Sequence, residues 1–203
     1  NKENASTVVE STSPNGAYYF NGYKIEYLPT DAYNTIGMFQ LYAHNSINGG
    51  MSYIYPPTAM KWFQQTAFTV IQRVKVNTLT SAMTLRCGIL DGFGGASPAG
   101  AGFEFLYGSN SNHIICRYND AGANVGTYET AYTPTAGGWV TLKIVWDKAS
   151  HQLQFYINGT LAYSRTFSEL AYTIAGPVIA NLSTSGSTIV GIDYNQVSIT
   201  VAR

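Results

Sequence analysis

The sequence predicts an all-β protein built as a β-sandwich or a β-barrel. The composition is rich in strand and turn residues, with 16 Tyr, 9 Phe and 20 Gly in 203 residues, while the helix formers Glu and Lys are scarce. Alternating apolar patterns also recur about every 8 to 14 residues over most of the chain, as in sandwiches and barrels.

The individual strands follow from alternation of apolar and polar residues. Residues 67–76 place Phe68, Val70, Gln72 and Val74 on one face. The alternation over residues 138–146 likewise places Trp146 on the face of its strand that points to the core. Asn158-Gly159 predicts a tight hairpin, because both residues tolerate the positive φ of a type I′ turn. Further strands are predicted at 83–90, 101–107, 113–118, 125–132, 151–157, 160–166, 176–182 and 188–201.

The domain organisation is simple. Residues 1–16 are polar and end in a Ser-Pro-Asn-Gly turn signal, so we expect an N-terminal arm. Residues 17–203 form a single domain. Its Tyr-rich part, residues 18–55, predicts short strands and well-packed loops.

Charge and hydropathy exclude two kinds of partner. Eleven basic residues balance eleven acidic ones without any Lys/Arg cluster, so we expect no nucleic-acid partner. No apolar run approaches the roughly 18 residues that a membrane-spanning helix needs. We therefore expect a globular domain without a membrane partner.

The two cysteines, Cys87 and Cys116, lie in predicted strands with a third strand between them. If the three strands form a meander, the cysteines are about 9 to 10 Å apart, too far for a disulfide. We expect two buried free thiols.

The pattern of a Trp-led strand followed by a strand ending in Asn-Gly occupies residues 138–159. Together with Gly88-Ile89-Leu90-Asp91-Gly92 upstream and Gly191-Ile192-Asp193-Tyr194 downstream, it resembles the laminin-G or pentraxin-like branch of the concanavalin A-like lectin/glucanase superfamily. The resemblance covers residues 65–203 and implies two antiparallel sheets in a jelly roll. The order of elements is also similar to such domains on tail, fibre and other surface proteins of tailed bacteriophages.

Catalytic motifs of this superfamily are missing. Laminarinase-type glycosidases carry Glu-x-Asp-x-x-Glu, which provides the two close carboxylates of retaining hydrolysis, and the sequence has no such string. The strand patterns of the alginate-lyase branch are absent as well. We expect no catalysis, and a cross-strand pair of Glu104 and Glu129 is the alternative.

A series of charges alternates in sign along neighbouring predicted strands. Arg86, Glu104 and Arg117 should point outward from three of them, with Glu129 and Lys143 continuing on the next two. Such a stripe can simply hold an exposed sheet together. It can also bind glycan hydroxyls beside aromatic rings, for which the candidates are Tyr118, Tyr128 and Tyr132.

Calcium is the one cofactor that the resemblance raises. Many superfamily members bind Ca²⁺ near the end of the domain, where Asp193 stands here. No carboxylate-rich loop offers the 6 to 8 oxygens that calcium prefers, and Asp193 can equally cap a loop. We expect no required cofactor, with a structural Ca²⁺ at Asp193 as the alternative.

These observations favour a non-catalytic carbohydrate-binding or adhesion module on a virion surface or otherwise outside the cell. One alternative is a structural virion subunit whose Tyr-rich segment and arm contact other subunits. These subunits can be further copies of the chain, which would form a homo-oligomer. The other is a glycan-cleaving enzyme. The expected partners are accordingly a glycan or other virion subunits.

Overall fold

The computed structural model describes residues 6–7, 25–28, 38–45, 50–54, 60–77, 79–80, 83–91, 98–120, 122, 124–171, 174–183 and 186–200. Within these residues there is no α-helix, and so none that could span a membrane. The strands are β1 (Ser6–Thr7), β2 (Ile25–Leu28), β3 (Met38–Asn45), β4 (Gly50–Ile54), β5 (Met60–Lys61), β6 (Ala67–Val76), β7 (Met83–Leu90), β8 (Gly100–Leu106), β9 (Ile115–Asn119), β10 (Val125–Glu129), β11 (Gly138–Asp147), β12 (Gln152–Ile157), β13 (Thr160–Thr166), β14 (Ile174–Ser183) and β15 (Gly186–Thr200).

The strands form two antiparallel sheets, which confirms the predicted all-β jelly-roll sandwich. The large sheet has the order β1-β2-β3-β15-β6-β11-β12-β13. The small sheet has the order β10-β9-β8-β7-β14-β4, with β5 also pairing with β14. β1 lies in the predicted N-terminal arm and pairs with β2, while the division of the chain at residue 17 stays a prediction.

The core lies between the sheets and is formed by the predicted alternation. Phe68, Val70 and Val74 of β6 and Trp146 of β11 are buried. Gln72 shares their face and is also buried, and its Nε2 donates a hydrogen bond of 2.9 Å to the carbonyl of Val178 in β14. This amide therefore links the large sheet to the small sheet.

The predicted hairpin joins β12 and β13 at Asn158-Gly159, with φ values of 50° and 82°. The Asn158 N–H donates to the Thr141 carbonyl, and its Oδ1 accepts from the Thr141 N–H. The turn is thus fixed to β11 by two hydrogen bonds.

The predicted meander is β7-β8-β9, in which Cys87 and Cys116 flank Phe103 on the inner face. Both cysteines are free and buried. Burial raises the pKa of Cys116 to about 12 and also raises that of Cys87. Since the thiolate is the reactive form, both thiols should be inert.

We therefore expect neither thiol of the native protein to react with Ellman's reagent at neutral pH, and both to react after unfolding. The measurement is the thiol titre with and without denaturant. Rapid labelling of the native protein would contradict the burial of Cys87 and Cys116.

Candidate functional site

The outer face of the small sheet carries the predicted cluster of Arg86, Glu104 and Arg117. Glu104 Oε2 accepts from Arg86 Nε at 2.7 Å and from Arg117 Nη1 at 2.5 Å. The three side chains are only 12 to 18% exposed. Because one carboxylate oxygen accepts hydrogen bonds from both guanidinium groups, the cluster links the side chains of β7, β8 and β9.

The predicted continuation of the charge series is correct for Glu129 and wrong for Lys143. Glu129 stands in the same row as Glu104, with Ile115 between them, and its carboxylate pairs with His113 Nδ1 at 2.8 Å. Lys143 lies in the large sheet, with Nζ 5.0 Å from the centre of the Tyr156 ring. The reason is that the chain crosses to the other sheet between β10 and β11.

Tyr118 does not lie beside the outer cluster, contrary to the sequence prediction. It follows Arg117 in β9 and therefore faces inward, where the residue is 4% exposed and its ring packs edge-on against Phe167. Its hydroxyl accepts from Arg165 Nη1. Burial raises the pKa of Tyr118, and the nearby Tyr163 hydroxyl adds to this against the opposing effect of Arg165. Tyr118 is thus a core residue.

Tyr128 and Tyr132 both line a groove on the open side of the sandwich. Tyr128 is opposite Cys116 in the β9–β10 pairing, so it also points away from the outer cluster. β10 and β13 end the small and large sheets on this side. Between them lies a cavity of about 460 Å³, within the usual range of ligand sites. We call it the edge groove; its lining is Tyr128, Thr130, Ala131, Tyr132, Ile157, Asn158, Thr160, Leu161 and Ala162.

A ladder of aromatic rings holds Tyr128 in place. Phe103 packs edge-on against Phe155 at 5.4 Å, Phe155 lies 6.0 Å from Tyr163, and Tyr163 stacks on Tyr128 at 4.5 Å with 15° between the rings. Tyr128 is still 44% exposed. Since one face of its ring rests on Tyr163, Tyr128 is a preorganised surface for stacking.

The polar groups of the edge groove are neutral. Thr130 Oγ1 donates to the Ile114 carbonyl and accepts from the Tyr132 N–H, and Asn158 Oδ1 is held by Thr141. These bonds fix the side chains of Thr130 and Asn158 in the groove. The groups left for a ligand are Asn158 Nδ2 and the hydroxyls of Thr160, Tyr128 and Tyr132. No residue that lines the groove is charged.

The predicted metal ligand, Asp193, lies in β15. Asp193 is the extra residue of a β-bulge between Ile192 and Tyr194, and its side chain lies outside those described. Within the described residues no group of three or more His, Cys, Asp or Glu side chains could hold a metal ion. Calcium at Asp193 stays a prediction.

A buried carboxylate that sequence reasoning did not single out is Asp120. Its Oδ1 accepts from the N–H groups of Gly122 and Asn124, and its Oδ2 accepts from Asn124 Nδ2 and the Ala171 N–H. Burial acts to raise the pKa of Asp120, but these hydrogen bonds outweigh it and leave the pKa below its usual value. The carboxylate thus joins two loops and serves the fold.

We expect Asp120→Asn to lower the free energy of unfolding at pH 7 by about 1–3 kcal/mol, because an amide nitrogen would face N–H donors. A lowered folded-state pKa stabilises above the unfolded pKa of about 3.9, and this stability is lost as the pH falls through the folded value. The difference in the free energy of unfolding between wild type and variant, measured by urea unfolding, should therefore shrink as the pH falls below about 3.9. Equal stabilities at pH 7 would contradict this role.

The family is shown by sequence comparison. A family model, Laminin_G_3, described as the concanavalin A-like lectin/glucanases superfamily, matches residues 48–192. The chain belongs to the concanavalin A-like lectin/glucanase superfamily. No curated protein sequence matches it.

Several solved structures share the fold of this chain. The carbohydrate recognition domain of Emp47p has a TM-score of 0.59 at 10% identity, over 82% of this chain and 85% of that one. The family 7 alginate lyase A1-II′, in complex with substrate, has a TM-score of 0.56 at 15% identity, over 90% and 85%. A sialidase scores 0.51 at 13% identity, over 81% of this chain and 15% of the longer protein. At these identities the likeness shows the fold alone.

Sequence reasoning found only the two tyrosines of the edge groove; it missed the rest of the lining, including Asn158 and Leu161, and it missed Tyr163, on which Tyr128 stacks. Asn158 was visible as a turn residue, and Leu161 and Tyr163 as apolar residues of a strand. Their role depends on β10 and β13 lying side by side, although they belong to different sheets. Strand alternation gives no signal for that contact.

Proposed function

We propose that this protein is a non-catalytic carbohydrate-binding module that binds glycans in the edge groove. The observation that carries the proposal is the exposed ring of Tyr128, stacked from behind by Tyr163, in a cavity with Tyr132 and neutral hydrogen-bonding groups. Sugar rings present apolar C–H faces and hydroxyl groups, which suit this combination.

The structural neighbours support the choice of ligand class. They include proteins whose names state carbohydrate recognition, alginate lysis and sialidase activity. A site based on stacking and neutral hydrogen bonds binds weakly by itself, so a useful affinity would come from several copies.

The absence of catalysis is part of the proposal. The carboxylate of Glu104 pairs with two arginines, and the carboxylate of Glu129 pairs with a histidine. The two carboxylates lie on alternate strands, which are about 10 Å apart, whereas retaining and inverting glycosidases need about 5 to 5.5 and 6.5 to 9.5 Å. A glycan-cleaving enzyme is the second candidate because Glu104 and Glu129 share one row.

The location on a virion surface is proposed from the resemblance to phage tail and fibre domains. Multiple copies on a fibre or spike would supply the multivalency that weak sites need. In the structural alternative, the Tyr-rich segment and the N-terminal arm would contact other subunits. The exposed apolar residues of β10 and β13, Val125, Tyr128 and Leu161, would add to that contact surface.

The test is a glycan-array screen of the purified protein, with calcium and with chelator, followed by product analysis on each polysaccharide that binds. We expect binding without released products. Loss of binding in chelator would support calcium at Asp193. Product release would favour the enzyme, and no binding by a stable oligomer would favour the structural subunit.

A further inference from the structure

The charge around the edge groove restricts its ligand. Glu129 is next to two lining residues in sequence but pairs with His113. Arg165, on β13, lies over the rings of Tyr118 and Phe167 at about 5 Å from their centres. An acidic sugar would therefore lose its hydration in the groove without gaining a counter-charge, which is unfavourable.

The apolar part of the groove exceeds what a sugar ring on Tyr128 would cover. Leu161 is 48% exposed, and Ile157, Ala131 and Ala162 line the same cavity. Sugar hydroxyl groups would gain no binding free energy at these apolar side chains, because they would lose hydrogen bonds to water without replacing them. A methyl group on the sugar would bury the exposed surface of Leu161.

The neutral donors beside this wall suit an amide. Asn158 Oδ1 is fixed by the Thr141 N–H, so Asn158 Nδ2 is the donor left for a ligand carbonyl. The hydroxyls of Thr160 and Tyr128 can accept from a ligand N–H. An acetamido group combines a methyl, a carbonyl and an N–H without charge.

We propose that the edge groove selects a neutral glycan that carries an acetamido substituent, that is, an N-acetylhexosamine unit. The inference rests on the proposed carbohydrate-binding function and names its ligand class. Tyr128 stacks on the sugar ring, Leu161 covers the acetyl methyl, and Asn158 Nδ2 donates to the acetyl carbonyl.

The test compares three β-1,4-linked tetrasaccharides by isothermal titration. Chitotetraose carries acetamido groups, and cellotetraose carries hydroxyls in their place. A mannuronate tetramer is negatively charged through its carboxylates. We expect chitotetraose to bind about tenfold more tightly than cellotetraose, the ratio for one buried methyl and one added hydrogen bond. The mannuronate tetramer should not bind, and added salt should not weaken chitotetraose binding.

The variant Leu161→Ser should lower the affinity for chitotetraose and reduce its preference over cellotetraose, because the acetyl methyl loses its apolar contact while the Asn158 hydrogen bond remains. Leu161 is exposed, so this variant should fold. Val125→Ser is the matched control, because Val125 is 57% exposed on β10 but does not line the groove.

The outcomes separate this inference from the function on which it rests. Equal affinities for chitotetraose and cellotetraose would overturn the acetamido inference alone. Binding of the mannuronate tetramer that depends on Tyr128 would overturn the choice of a neutral ligand. Failure of all three tetrasaccharides, with no other glycan bound on the array, would overturn the proposed function itself.

Discussion

Replacing Tyr128 with alanine is expected to lower the affinity for a neutral glycan at least tenfold. The phenol ring is the exposed end of the aromatic ladder that begins at Phe103 and passes through Phe155 and Tyr163. Its removal takes away both the stacking contact and the apolar area that the sugar would cover, and a tenfold loss corresponds to about 1.4 kcal/mol. The measurement is isothermal titration with the tetrasaccharide that binds wild type best.

Two control variants separate stacking from other effects. Tyr128→Phe keeps the ring and should retain most of the affinity, while Val125→Ala removes an exposed apolar side chain outside the groove and should change nothing. Thermal unfolding should show that all three variants are folded. Unchanged binding by Tyr128→Ala would place the glycan elsewhere on the protein.

Replacing Glu104 with glutamine is expected to destabilise the fold, whereas the same change at Glu129 is not. Loss of the Glu104 charge leaves Arg86 and Arg117 facing each other in a partly buried position. We expect a loss of about 2–3 kcal/mol and a fall in melting temperature of roughly 4 to 12 °C. Glu129 is 44% exposed, so Glu129→Gln should cost less than about 1 kcal/mol.

This pair of variants also tests the enzyme alternative. A catalytic Glu104 would give a variant that is folded and stable but no longer cleaves a polysaccharide that wild type cleaves. If Glu104 is structural, the Glu104→Gln variant is destabilised. If the protein is not an enzyme, wild type releases no products. Thermal unfolding and product analysis of wild type, Glu104→Gln and Glu129→Gln decide between the two.

Most of the fold could be predicted from the sequence because strand alternation reports which face of a strand is buried. The order of β7, β8 and β9 follows from three successive patterns, and with it the approach of Arg86 to Glu104 and of Glu104 to Arg117. The Asn158-Gly159 hairpin is equally local, since positive φ restricts the choice of residues.

The site was harder to predict because it depends on contacts between the sheets. The same alternation that places Arg117 on the outer face requires Tyr118 to face inward, and the register places Tyr128 opposite Cys116. Lys143 follows β10 closely in sequence but lies in the other sheet. The meeting of Tyr128 with Tyr163 requires knowledge of which strands end each sheet, and no local pattern contains it.

The central claim is that the edge groove between β10 and β13 binds a glycan. The most direct measurement is a ¹H–¹⁵N chemical-shift titration of the labelled protein with chitotetraose. We predict that the largest shifts fall on the amides of Tyr128, Tyr132, Asn158 and Leu161, while those of Arg86, Glu104 and Arg117 stay in place. Shifts confined to Arg86, Glu104 and Arg117, or no shifts with any glycan that binds on the array, would contradict the account.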